Sequence, residues 1–292
     1  MKVKVIAGII GGSVAILALF LIHTYFPIIM LAGFCGIAAY ELLKSLSVKS
    51  KSLIAYAVTI ATLVPFGVSL IGDEILTRPE VLRFAPLALM VFLLSFFFIM
   101  LSKLKKITWT HIFVAMASST LIPLALSSFV FIRDFVPVVD SVSKETTAQW
   151  PIFWLLFGLA CCWITDSGAY LIGMATGGKH KMAPTVSPNK SWEGAVGGVV
   201  INVIFNIGVW FLFEKCGWFG DLTPPLWLIP VIAPMLSVLG ILGDLTFSAV
   251  KRQTGIKDFG NLIPGHGGAL DRFDSYMFVM PTLWAILWVI YR

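Results

Sequence analysis

Charge is scarce in this chain of 292 residues: 12% of its side chains are Asp, Glu, Lys or Arg, against about a quarter in an ordinary soluble domain. A surface that thin in ions does not solvate a globular fold. Cysteine is thin as well. Its four copies, at 35, 161, 162 and 216, form no CxxC and no Cys/His ligand spacing, which excludes a zinc framework or a disulfide scaffold and leaves reduced, buried thiols. No long basic run or basic helix face goes with the net charge of +6, so the footprint of a nucleic-acid partner is missing. Internal repeats, low-complexity tracts and heptads are missing too.

What is there is apolar: 58% hydrophobic residues and a mean hydropathy of +0.93. A soluble core cannot use that much apolar surface, so the bilayer is the expected solvent. Crossing about 30 Å of hydrocarbon takes roughly 20 apolar residues. Runs of that kind cover 5–22, 27–43, 53–71, 85–101, 111–132, 152–175, 194–213, 226–247 and 275–291. Backbone polar groups find no water in lipid, so these runs predict helices. The expected fold is therefore an all-α integral membrane protein, a polytopic bundle of about nine transmembrane helices. Pro123, Pro230, Pro234 and Pro281 fall inside runs and predict kinks. Lys2 and Lys4 before the first run imitate a secretory signal, but no small-residue cleavage site follows, so that run is expected to stay as a helix. With the N-terminus cytoplasmic and the C-terminus outside, fifteen of the 21 basic residues fall on the inner side, as orientation by positive loops requires.

The two halves differ. Residues 1–150 (about five spans) carry ordinary loops, with Lys103, Lys105 and Lys106 as headgroup anchors, and read as scaffold. Residues 151–292 (about four spans) bring charge to helix ends and glycine-rich loops, and read as the catalytic region. Asp166, in W-I-T-D-S-G-A-Y, lies inside a run. A carboxylate at that depth faces a cavity or a partner, or ties helices together. The stretch 177–194, G-G-K-H-K-M-A-P-T-V-S-P-N-K-S-W-E-G, supplies Lys179, His180, Lys181 and Lys190, a turn at Ser187-Pro188, and Asn189 or Ser191 as a helix cap. It is either a phosphate seat at a helix start or a well-capped positive loop; Glu193 in the first turn suits the helix dipole in both cases. In G-D-L-T-F-S-A-V-K-R, Asp244, Ser248 and Lys251 or Arg252 share one helix face, for a cation that bridges to phosphate or for a simple salt bridge.

The densest polar segment is Ser248 to Asp274, S-A-V-K-R-Q-T-G-I-K-D-F-G-N-L-I-P-G-H-G-G-A-L-D-R-F-D. Glycines at 260, 265, 267 and 268 let backbone approach a ligand, and cations beside carboxylates suit phosphate with a divalent metal. Asp271 and Asp274, three apart, reach one ion if the last helix has begun by then; otherwise Asp274 caps that helix.

This segment closely resembles the signature of phosphatidate cytidylyltransferases, met here by Ser248, Lys251, Arg252, Lys257, Asp258, Gly260, Gly265, His266, Gly267, Gly268, Asp271, Arg272 and Asp274. D-S-G-A-Y at 166–170, S-P-N-K-S-W-E-G at 187–194 and G-D-L at 243–245 resemble that family's upstream motifs. The likeness covers residues 160 to 280; the first 150 share only hydropathy. It implies transfer of a cytidylyl group from CTP to phosphatidic acid, giving CDP-diacylglycerol and pyrophosphate. It also implies Mg2+, with room for a second monovalent or divalent cation. The catalytic set it suggests is Asp244, Asp271, Lys251, Arg252 and His266, with Asp244, Asp271, Asp274 and Asp166 as metal ligands. Substrate binding falls to Lys179, Ser187, Lys190, Glu193, Lys257, Asp258 and Arg272. A bacterial inner membrane, a site facing the cytoplasm, contact with membrane lipids and a homodimer are further implications. Two positions depart from the family pattern. Ala269 replaces a larger aliphatic residue, and Phe247 stands where many bacterial members carry glutamate. The rival reading is an ion-coupled transporter, which also carries acids in spans and Pro-broken helices but seats its site near the midplane. An alcohol phosphatidyltransferase is opposed by the lack of its D-G-x2-A-R…G-x3-D-x3-D pattern.

Overall fold

The computed structural model describes residue 17 and residues 20–72, 83–135, 149–220, 222–262 and 267–291. Most of the first expected span, and His266, lie outside these. The helices are α1 (Phe26–Ser45), α2 (Lys51–Gly72), α3 (Ala85–Ser102), α4 (Trp109–Arg133), α5 (Trp150–Ala175), α6 (Trp192–Lys215), α7 (Ile229–Gln253), the single turn α8 (Leu270–Phe273) and α9 (Tyr276–Tyr291). Among the described residues seven helices are long and apolar enough to cross a bilayer, and Tyr276–Tyr291 is a shorter apolar helix. By length and composition the chain is a polytopic, mostly helical membrane protein.

The helix starts follow from local chemistry. Proline sits in the first turn of α1, α3 and α5, where its missing N–H costs no hydrogen bond. Pro230 does the same at the start of α7, so it opens that helix instead of kinking it. Pro123, Pro234 and Pro281 do lie inside helices, as does Pro65. Ser191 caps α6, its Oγ accepting from Gly194 N at 3.2 Å, with Glu193 in the first turn.

The all-α expectation needs one amendment. Lys181–Ala183 (β1) and Ser187–Ser191 (β2) pair as a small antiparallel hairpin. Its turn runs through 184–186, with Val186 N donating to Ala183 O and Pro184 in the second turn position, where its fixed φ fits. Ser187-Pro188 therefore belongs to a strand and is not the turn. Pro188 is tolerated because a two-stranded ribbon has only edges.

The chain forms two compact units. The first joins residues 1–131 to 254–272 and packs around Leu43, Leu53, Ala57, Phe96, Met100, Ile112 and Ala115. Its α3 leaves Leu87, Leu89, Met90, Val91, Leu94 and Phe98 more than half exposed, a surface suited to lipid. The second joins 132–253 to 273–292, so the signature segment contributes to both units. Here α5, α6, α7 and α9 pack together. A Cβ on Gly198 would strike Thr165 O, and one on Gly194 would strike Ala169 O. Small residues four apart thus let α5 and α6 meet backbone to backbone. Trp150, Phe153, Trp154, Phe157, Phe213 and Phe219 fill one end of this bundle with edge-on and tilted ring contacts. That end is roughly 20 Å along α5 from Asp166 at 1.5 Å per residue.

Candidate active site

In the second unit Asp166 from α5, the hairpin, the start of α6 and the middle of α7 enclose a cavity of about 290 Å³. Its wall includes Asp166, Tyr170, Ser187, Asn189, Lys190 and Asp244. Asp166, expensive within an apolar helix, therefore faces a cavity as expected. Lys190 Nζ stands 2.5 Å from Asp244 Oδ2, and Ser248 Oγ donates to Asp244 Oδ1 at 3.3 Å. Lys251 completes that helix face; it and Ser248 are buried. Arg252 points to the hairpin instead, its Nε donating to Val186 O at 3.3 Å.

Asp274 joins Asp244 from the far end of the unit's sequence. The two carboxyl groups share a hydrogen bond. Gly243 makes the approach possible, since a Cβ there would stand 2.9 Å from Asp274 O. Burial pushes the Asp274 carboxyl up to about 7, and the charge of Asp244 adds to the rise. Its Oδ1 accepts from Ser275 N at 2.8 Å. Asp271 and Asp274 are not on one helical turn of the last span: Asp271 lies in α8, and α9 begins only at Tyr276. The reason is the break at 274–275, where Asp274 binds the next amide instead of continuing the helix.

Other expected residues sit elsewhere. Lys179 is exposed beside the hairpin. Glu193 Oε1 holds His180 Nδ1 at 2.6 Å and His180 N at 3.2 Å, so it fastens the hairpin to α6. In the first unit Lys257, Asp258 and Arg272 are exposed. Asp271 is buried there, its Oδ2 accepting from Phe259 N at 2.8 Å and Gly268 N at 2.9 Å. Gly267 has φ +84, a left-handed conformation that favours glycine.

One functional candidate escaped the sequence reading. Glu41, near the C-terminal end of α1, is 5% exposed and accepts from Ala269 N at 3.1 Å and Leu270 N at 2.9 Å. The signal was available: it is an acid within the 27–43 run, and the rule that picked out Asp166 applies to it equally.

Among the described residues no three His, Cys, Asp or Glu side chains gather as a ready-made metal cage. The Asp244–Asp274 pair still fits a cation. Two carboxyls pressed together with one held protonated are what a divalent ion relieves. Lys190, an ammonium on a flexible stem, can exchange one oxygen partner for another.

Comparison with known proteins agrees with the motifs and extends them. The profile described as "Cytidylyltransferase family" matches residues 2–290. The chain belongs to this family. A Bacillus subtilis protein called phosphatidate cytidylyltransferase is 32% identical over 98% of this chain and 97% of its own length. Proteins with that name from Staphylococcus saprophyticus and Staphylococcus aureus are 46% and 42% identical over 132 residues. Those two matches cover 45% of this chain and about half of each relative. The family likeness thus reaches past residues 160 to 280 into the helix that carries Glu41. Phe247 is buried in α7; a phenyl ring has no lone pair to give a cation, so this residue packs.

Proposed function

We propose that this cytidylyltransferase-family protein is an enzyme that transfers the cytidylyl group of CTP to phosphatidic acid. An oxygen of the lipid phosphate attacks the α-phosphorus. The bond from that phosphorus to the β-phosphate oxygen breaks, and pyrophosphate leaves. The attacking oxygen is already anionic near neutral pH, so a strong base is not required. The demand is to bring anions together in line and to stabilise charge on the α-phosphate and the leaving group.

The observation that carries this reading is the pairing of Lys190 with Asp244 at the cavity wall, Asp244 in turn bonded to Asp274, in a chain matched by the family over nearly its whole length. Asp244 and Asp274 would hold Mg2+, with Asp166 facing the same cavity. Such an ion neutralises phosphate charge when bound. Lys190, an ammonium on the cavity wall, would reach a phosphate oxygen there, and the buried Lys251 would add positive charge beside Asp244. Arg252, Lys257 and Arg272 are assigned to phosphates, and His266 to proton movement or pyrophosphate, on the resemblance alone. The resemblance also gives Asp271 a metal role, but its Oδ2 is taken by two backbone N–H groups, so loop geometry is the role assigned to it here; a second cation rests on the resemblance alone. We also propose nine spans, a cytoplasmic N-terminus, an external C-terminus, and an inner-membrane enzyme working at the cytoplasmic face. The tally of basic residues supports these proposals. Homodimerisation rests on the resemblance only.

Purified protein in detergent, given CTP and phosphatidate, should release pyrophosphate only when Mg2+ and the lipid are both present. A folded sample that releases none, or releases it equally without the lipid, would sink the assignment.

A further inference from the structure

The charged signature residues of the first unit hang on one buried carboxylate that none of the sequence motifs contains. Glu41 uses both its oxygens, Oε1 on Ala269 N and Oε2 on Leu270 N. A Cβ on Gly260 or on Gly268 would collide with the same carboxylate, so at both positions the backbone of the signature segment lies against it. Asp271 ties the loop a second time through Phe259 N and Gly268 N. Four backbone amides are therefore held by two acids. The exposed groups Lys257, Asp258 and Arg272 stand immediately outside the tied stretch.

We propose that Glu41 is a positioning residue: from inside α1 it sets the backbone at 268–270, and so fixes where Lys257, Asp258, Asp271 and Arg272 stand for the reaction. Burying a carboxyl group is costly unless it is hydrogen-bonded, and each Glu41 oxygen accepts from one fixed backbone donor. Those donors cannot leave for a substrate as a lysine can, so Glu41 acts on the chemistry only through the loop. The glycines at 260 and 268 acquire a reason that turn geometry alone does not give: neither position has room for a side chain against Glu41. This inference rests on the cytidylyl-transfer reading for its kinetic arm, but not for its structural arm.

The structural arm is hydrogen exchange at Ala269 and Leu270. Glu41→Gln keeps the size of the side chain but turns one acceptor into an NH2 that faces a backbone N–H. Exchange at these two amides should rise while the amides of α5 to α7 stay as protected as before. Unchanged exchange would overturn the anchor, whatever the protein catalyses. In the kinetic arm kcat should fall about 10- to 100-fold, as for a small misplacement of reacting groups, with KM for CTP within about twofold. Normal kcat, or a defect confined to KM, would overturn the positioning role. Gly268→Ala should give the same kinetic defect by displacing the carboxylate. Combining it with Glu41→Ala should cost no more than Gly268→Ala alone; additive losses would mean that the two residues act separately and would refute the proposal. If neither Glu41→Gln nor Gly268→Ala yields folded protein, Glu41 is a stability residue and the positioning role falls. A wild-type sample that makes no pyrophosphate would end the functional reading, yet the exchange result would still stand.

Discussion

Each unit holds a pair of acids brought together by glycines, and the pairs do opposite things. In the first unit Glu41 and Asp271 point their oxygens at backbone N–H groups. In the second, Asp244 and Asp274 face each other and the ammonium of Lys190. Backbone donors are fixed dipoles, so the first pair is committed to shape. A lysine is a mobile charge and a proton shared between carboxyls is a displaceable one, so the second pair is the one proposed to accept a cation. The difference lies in the partners: the acids are chemically alike.

The largest effect should come from Asp244→Asn. Removing a carboxylate proposed to hold the ion that offsets phosphate charge should lower kcat by roughly 10²–10³-fold and raise the Mg2+ concentration needed for half-maximal rate. Asp271→Asn should also be severe, about 10²-fold through loss of loop geometry, but with an unaltered Mg2+ requirement. Equal shifts in Mg2+ requirement for both variants would make Asp271 a ligand and dissolve the contrast between the pairs.

A pH experiment sharpens it further. The Asp274 carboxyl is raised from 3.8 to about 7, so its ionised form is the disfavoured one in the folded, metal-free protein. As pH rises from 3.8 to about 7 the unfolded chain ionises this group while the folded chain resists, and stability falls across that window. Asp274→Asn should therefore raise the metal-free Tm by a few degrees at pH 8 and hardly at all near pH 4. Mg2+ needs the ionised form, so wild-type affinity for Mg2+ should weaken as pH drops below about 7. Loss of that pH dependence in Asp274→Asn is expected; its persistence would move the titrating group elsewhere.

Smaller effects bound the comparison. Ser191→Ala removes the α6 cap and should cost about 1 kcal/mol of stability, read as a lower Tm with modest change in kcat. Lys103→Ala breaks an exposed contact to Ser52 and should leave turnover within about twofold, because exposed pairs contribute little. A large loss there would place function in the region read as scaffold.

Much of this was legible in the sequence. Apolar runs located α1 to α7 and α9, because a helix in lipid must satisfy its backbone within its own segment. Asp166 was expected at a cavity or a partner, or as a tie between helices, and Ser191 was one of two possible caps. The hairpin at 181–191 was not legible: K-M-A-P-T-V-S-P-N-K-S lacks the alternation of a half-buried strand, and its ordering depends on the ties from His180 to Glu193 and from Val186 to Arg252.

The sequence by itself determined the apolar helices, the family and the residue types in the motifs, since run length and local spacing act within a single element. Only the tertiary structure decided what each carboxylate holds. Glu41 and Leu270 stand 229 residues apart, and Asp244 meets Asp274 because Gly243 lets α7 come close to the residues before α9. No periodicity reaches across such distances; packing chose the partners, and the partners set the chemistry.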